Sequence, residues 1–305
     1  MDWVLVCLGL LALLLGGEGL VRGAVAIAHR FAMPPLLIGL TVVGFGTSMP
    51  ELLVSADAAW RGVPDIAIGN VVGSNIGNIL LILGVTALVW PVHVAGRSVR
   101  RDLAVMVLAA IALVPLFWLA EVGRLAGAAL FLGLIAYLVW AYLNPQGAAL
   151  DTEHTPAQPL WQALGWLVAG LCALMLGARL LVDGAVSIAH ALGLSEAFIG
   201  LTIVAVGTSL PELATSVMAA RRKQSAIAIG NIVGSNIFNV LGILGITALI
   251  APIPVADRFL RFDLPVMIAA SVVLALMLLM REGLGRRAGA VLLLAYAGFV
   301  WAAQG

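Results

Sequence analysis

Gly46-Thr47-Ser48-Met49-Pro50-Glu51 decides how this chain is read, because it returns as Gly207-Thr208-Ser209-Leu210-Pro211-Glu212. A second block follows each copy at the same offset. It runs Gly69-Asn70-Val71-Val72-Gly73-Ser74-Asn75-Ile76-Gly77-Asn78 in the first half and Gly230-Asn231-Ile232-Val233-Gly234-Ser235-Asn236-Ile237-Phe238-Asn239 in the second. Superposed without a gap, 46–78 and 207–239 agree at 21 of 33 positions, and the agreement is densest at glycines and polar residues. An apolar helix needs neither. The chain is therefore a duplicated unit, with its unusual chemistry at equivalent places in both halves.

The surroundings of these blocks are apolar. Of 305 residues 63% are hydrophobic and 10% charged, and the mean hydropathy is +1.13. A soluble domain carries about 25% charged residues, so this composition belongs to an integral membrane protein. The formal net charge of +1 says nothing about nucleic acid, and no basic run is long enough to suggest such a partner. Ten segments are long enough to span a bilayer of about 30 Å: 3–22, 35–60, 65–90, 101–120, 124–143, 161–182, 196–220, 226–250, 261–280 and 285–303. The predicted fold is an all-α polytopic membrane protein. It has a first five-helix unit over 1–143 (repeat motif 39–84), a polar linker over 144–160, and a second five-helix unit over 161–305 (repeat motif 200–245). Five spans per half place the second half upside down relative to the first, an inverted repeat. Eleven Lys and Arg fall on one face and five on the other (Arg61, Arg124, Arg179, Arg258 and Arg261). The positive-inside rule then puts the linker in the cytoplasm and both termini outside. The start, Met1-Asp2-Trp3, lacks a basic n-region and reads as a retained helix. Cys7 and Cys172 sit at non-equivalent positions and read as small apolar residues.

Glu51 and Glu212 lie in the middle of apolar segments, where an acidic residue costs about 2.5–3.5 kcal/mol on insertion scales. Pro50 and Pro211 directly precede them. Each proline lacks an N–H and crowds the carbonyl four residues back, at Gly46 and Gly207, so a helix break is expected there. At membrane depth such backbone is tolerated only within protein or against a water-filled cavity. Spacing of i, i+4 puts Thr47 with Glu51, Ser74 with Asn78, Thr208 with Glu212 and Ser235 with Asn239 on common helix faces. All of these side chains offer oxygen, which suits Na⁺, Ca²⁺ or Mg²⁺. Gly69, Gly73, Gly230 and Gly234 predict close helix approach. Asn70, Asn75, Asn231 and Asn236 are expected to hydrogen-bond the broken-helix backbone. Asp102 and Asp263 are expected to cap helices beside arginines, whereas Asp57, Asp65 and Asp183 have no acidic counterpart in the other half.

The paired blocks resemble the alpha-repeats of the cation/calcium exchanger superfamily, most nearly its prokaryotic sodium/calcium exchangers, and the resemblance covers essentially the whole chain. It implies a secondary antiporter in the inner (plasma) membrane of a prokaryote, working as a monomer in the lipid bilayer. It implies no cofactor beyond the transported Ca²⁺ and Na⁺. Glu51 and Glu212 would be the carboxylates shared by Ca²⁺ and Na⁺. Thr47, Ser48, Thr208 and Ser209 would serve flanking Na⁺ sites. Ser74, Asn78, Ser235 and Asn239 would complete the set, with the backbone carbonyls of Gly44 and Ala205. The implied mechanism is alternating access, in which the first and sixth helices slide over a fixed core. One departure stands out: some prokaryotic members carry Asp where this chain has Asn239, so two acidic groups are present here and not three.

Coupling to H⁺ or K⁺ is the alternative within transport. The hydroxyl pairs Thr47-Ser48 and Thr208-Ser209 beside each carboxylate favour Na⁺. A channel would need a continuous pore, usually in a ring of subunits. An intramembrane hydrolase built on Ser48 or Ser209 lacks a neighbouring His or Lys as base.

Overall fold

The computed structural model describes residues 2–94, 96–146, 158–192, 205–281 and 283–303. It is almost wholly helical. Helix α1 covers Asp2–Arg30. A bent pair follows, α2 (Pro35–Thr47) and α3 (Met49–Trp60), and then α4 (Pro64–Val89). Next come α5 (Gly96–Trp118), α6 (Arg124–Leu143) and α7 (Leu160–Ala191). The second half continues with α8 (Ala205–Thr208), α9 (Leu210–Arg221), α10 (Ser225–Ile250), α11 (Phe259–Met280) and α12 (Arg286–Ala303). Among the described residues seven helices are long and apolar enough to cross a membrane, and the bent pair, taken as one span, makes an eighth. Most of the linker, 147–157, and the opening of the expected seventh span, 196–204, lie outside the described residues. Helices α1 and α7 run well past their predicted ends at 22 and 182, because both sequences stay apolar and small there.

These two helices form a long antiparallel seam. Gly9, Gly16 and Gly23 recur every seventh residue on α1, and Gly170, Gly177 and Gly184 do so on α7. A methyl group at Gly9 would stand 2.6 Å from the Leu181 amide nitrogen, and one at Gly170 2.4 Å from that of Leu20. Only glycine lets the backbones meet so closely, which is how helices associate where lipid removes the hydrophobic drive. The same device joins α2 to α10, where a methyl at Gly234 would lie 2.4 Å from the Leu40 carbonyl oxygen and one at Gly230 2.6 Å from that of Leu36. The predicted close approach of Gly230 and Gly234 is therefore present. Gly69 meets Phe259 at an ordinary 3.8 Å, and Gly73 has no described neighbour within 4 Å.

Two short clasps tie the halves together beyond the helices. Strand β1 (Glu121–Val122) pairs antiparallel with β2 (Ile253–Pro254). Val92 bridges Leu284 in the same antiparallel manner. All eight tryptophans lie at or near helix ends, among them Trp3, Trp60, Trp118, Trp161 and Trp301, each more than two-thirds exposed. This is the placement of an interfacial aromatic belt.

The expected caps at Asp102 and Asp263 are corrected. Asp102 lies inside α5, fully buried, paired with Arg101 Nε at 2.8 Å and accepting from the Tyr137 hydroxyl at 3.1 Å. Arg101 also lies over the Trp140 ring, 5.2 Å from its centroid. Asp263 precedes the regular part of α11 without a side-chain cap and pairs with Arg258 at 3.4 Å. A buried carboxylate needs a partner more than a helix end needs a cap, because an unpaired charge in the interior costs far more than one open amide.

Candidate functional site

Both Gly-Thr-Ser-x-Pro-Glu stretches break their helix at the serine. α2 ends at Thr47, Ser48 stands between helices at φ −85°, ψ 8°, and α3 begins with Pro50 in its first turn. The axis bends there by 45°. Ser209 repeats the break at φ −92°, ψ 7° between α8 and α9. Pro50 has no hydrogen to offer the Gly46 carbonyl, yet its fixed φ suits a helix start, so one helix stops and another begins. The break also separates Thr47 from Glu51. Neither that pair nor Thr208 and Glu212 lies on one continuous helix, as the i, i+4 spacing assumes.

The breaks reach across to one another. The Ser48 hydroxyl donates to Glu212 Oε1 at 3.0 Å, and the Ser209 hydroxyl donates to Glu51 Oε1 at 3.3 Å. Glu51 is 2% exposed and Glu212 1%. The second oxygen of each, Oε2, is buried with no hydrogen-bond partner among the described residues. No described ion pair includes either carboxylate. Two buried carboxyl groups, each with a free oxygen and no basic partner among the described residues, make a place that a cation would complete.

Other predicted residues assemble around them. The Ser235 hydroxyl donates to the Gly44 carbonyl at 3.3 Å. Thr47 Oγ1 donates to Asn231 Oδ1 at 3.1 Å, with the Gly44 carbonyl at 3.4 Å. Asn78 Oδ1 and both amide atoms of Asn239 are buried without partners among the described residues. Both residues lie where the helix widens into a π-turn, Asn78–Ile82 in α4 and Phe238–Leu244 in α10. Such turns loosen the regular bonding of the backbone and are frequent at functional sites. Ser74, one turn before Asn78 in α4, is buried as well. Thr208, half-buried, closes α8, and Ala205 opens it.

Of the four asparagines expected to hold the broken backbone, two do. Asn70 Nδ2 donates to the Glu51 carbonyl and to Ser55 Oγ, both at 2.9 Å. Asn231 Nδ2 repeats this with the Glu212 carbonyl at 3.3 Å and Ser216 Oγ at 3.0 Å. Asn75 has no partner among the described residues, and Asn236 donates to Ile232 in its own helix. Ser55 and Ser216 escaped the sequence reading, although they match across the repeat and so carried a signal.

The two halves are not equally covered. Asn70, Gly69 and Gly73 are half-buried, whereas Asn231, Gly230 and Gly234 are buried. Leu53 is 58% exposed on α3, and its counterpart Ala214 is half-buried on α9.

A profile of the family described as "Sodium/calcium exchanger protein" matches residues 1–143 and 162–304. The chain belongs to the sodium/calcium exchanger family. Among relatives of this exchanger, CaxA of Alkalimonas amylolytica is 42% identical over 310 residues, covering 97% of this chain and 96% of CaxA. Sodium/calcium exchanger MaX1 of Methanosarcina acetivorans is 32% identical over 344 residues, 98% of this chain and 97% of its own. Among solved structures, the sodium-calcium exchanger NCX_Mj, soaked without Na⁺ and Ca²⁺, superposes on this exchanger with a TM-score of 0.86 at 34% identity, covering 100% of this chain and 98% of that one.

Proposed function

We propose that this sodium/calcium antiporter binds Na⁺ and Ca²⁺ in turn between its two broken helices and exposes them alternately to the two faces of the membrane. The observation that carries this reading is the crossed pair, Ser48 to Glu212 and Ser209 to Glu51, with one free buried oxygen left on each carboxylate. Glu51 and Glu212 hold Ca²⁺ or Na⁺ directly. Asn78 and Asn239 supply amide oxygens, and Ser74 and Ser235 supply hydroxyls. Thr47, Ser48, Thr208 and Ser209, with the carbonyls of Gly44 and Ala205, serve the flanking Na⁺ sites. The six to eight oxygens that Ca²⁺ takes are available from this set. Ten spans in two inverted units, 1–143 and 161–305, account for the recurrence of the serine–carboxylate and asparagine contacts at an offset of 161 and for the antiparallel course of the equivalent helices α1 and α7. The chain is a multi-pass membrane protein. We place it in the inner membrane, functional as a monomer, with the 144–160 linker in the cytoplasm and Na⁺ entry driving Ca²⁺ out.

Three expected results test this. Proteoliposomes loaded with Na⁺ should take up ⁴⁵Ca²⁺, saturably, and uptake should fall when external Na⁺ is raised. Uptake that instead follows a pH or K⁺ gradient identifies a different counter-ion. Thr152→Cys should resist an impermeant thiol reagent in intact cells, and labelling there would reverse the orientation. Asn239→Asp adds a third titratable group among the ion oxygens. Its Ca²⁺ flux should therefore vary more between about pH 5.5 and 8.5 than that of the native protein, which has an amide there. Matching pH profiles would take Asn239 out of the site.

A further inference from the structure

We propose that Glu18 and Arg222 form a latch that closes the basic face of the exchanger and favours opening of the ion site towards the other face, and that the mirror-image latch is absent. The proposal rests on the alternating-access reading above. Arg222 follows the last turn of α9, ten residues beyond Glu212. Its Nε donates to Glu18 Oε2 at 2.6 Å, and its NH2 group reaches Glu18 Oε1, a two-pronged pairing. The paired side chains are 40% and 35% exposed, at the rim of the membrane part. An acidic residue in the apolar helix α1 is costly unless partnered, and its partner belongs to an ion-site helix.

Packing supports the latch. A methyl group at Gly17, next to Glu18, would stand 3.1 Å from the Ala214 carbonyl and from Met218. α1 thus packs along α9 at Ala214 and Met218 and meets its end at Arg222 through Glu18. Arg22, one turn beyond Glu18, is turned aside, 4.5 Å over the Trp166 ring. It does not compete for Glu18.

The other face differs in charge. The 161-residue offset maps Gly9, Gly16 and Gly23 onto Gly170, Gly177 and Gly184, so it holds along α1 and α7. It maps Glu18 onto Arg179 and Arg222 onto Arg61. Two arginines replace an ion pair. Each is held on its own helix instead, Arg61 by Asp57 at 2.8 Å and Arg179 by Asp183 at 3.8 Å. The matching face of α3 is not covered by another described helix at its outer turn: Leu53 is 58% exposed and Val54 38%. If α7 settled on α3 as α1 settles on α9, like charges would meet. Closure is therefore favoured on one face and opposed on the other.

The test uses the full chain, with the exposed Cys7 and Cys172 replaced by Ala and Leu53→Cys added as reporter. The rate of labelling by an impermeant maleimide reads how far the α3 face is open. Glu18→Gln and Arg222→Gln should each slow labelling about threefold, the scale of a half-exposed ion pair. Glu18→Arg combined with Arg222→Glu should restore the parent rate. Arg61→Glu, which sets a carboxylate opposite Arg179, should slow labelling as well. The proposal is overturned if the parent is not labelled, if the single variants label at the parent rate, or if the swapped pair stays as slow as the singles. Ca²⁺ uptake measured alongside separates the two readings. A parent that fails to exchange Na⁺ for Ca²⁺ removes the antiport reading. A parent that exchanges, with labelling indifferent to residues 18 and 222, removes the latch alone.

Discussion

Glu51→Gln is expected to abolish Na⁺-driven Ca²⁺ uptake, and Glu212→Gln to do the same. Glutamine keeps the size of the side chain and can still accept the serine hydroxyl that crosses from the other half. What disappears is one negative charge. A unit charge about 4 Å away at an effective dielectric of about 20 is worth about 4 kcal/mol, and a divalent ion feels twice that. Ca²⁺ affinity should fall at least about a thousandfold, since each 1.4 kcal/mol is about tenfold. The fold should survive, because a buried amide is easier to accommodate than a buried carboxylate without a counter-ion. A second readout separates binding from folding. A ligand that binds only the folded state raises the unfolding midpoint, so Ca²⁺ should stabilise the native protein against heat and leave both variants unmoved. Native-like uptake in either variant would remove these carboxylates from the site.

Gly170→Ala should cost the exchanger much of its thermal stability, even though alanine is the better helix former. The gain in helix propensity is about 1 kcal/mol. Against it, the new methyl would sit 2.4 Å from the Leu20 amide nitrogen and 2.8 Å from the Gly16 carbonyl, both backbone atoms that no rotamer change can move. Overpacking of this kind costs about 1–3 kcal/mol, and the shift propagates along a seam whose neighbouring contacts are as short. Gly165→Ala, on the same helix with no described atom within 4 Å of the added methyl, should leave the unfolding midpoint unchanged or raise it. Equal midpoints for the two variants would contradict the backbone contact between α1 and α7.

Much of the site was legible because the repeat marks it. Glycines, hydroxyls and carboxylates that agree at a fixed offset within apolar helices signal chemistry by being there at all. The proline gave the break to within two residues. What stayed hidden depends on the partner across the fold. The serines of each break serve the carboxylate of the other half, which no spacing within one half can reveal. The i, i+4 argument for Thr47 and Glu51 assumed a continuous helix, and the chain interrupts it at Ser48, just before Pro50. Asp102 looked like a cap because it stands near a helix start, and only the packing of α6 shows that Tyr137 joins Arg101 in enclosing it. Glu18 was visible as an acid in an apolar span. Its lack of an acidic counterpart hid it from a reading that sought matched pairs.

The placement of the tryptophans sets what light can report about this protein. Trp60 is the last residue of α3, nine residues from Glu51, or about 13 Å along a helix. No indole touches the crossed serines and carboxylates by any described contact, so intrinsic emission is a poor gauge of which ion is bound. Trp3, Trp161 and Trp166 ride on α1 and α7. Their emission, and its quenching by brominated or spin-labelled lipid, instead measures how deep that pair sits in the bilayer. Phe238, adjacent to Asn239 and 4.7 Å from the Phe45 ring in an edge-on contact, is the position where an introduced indole would sense occupancy. One native protein and one Phe238→Trp variant would together give separate optical channels for movement and for cargo.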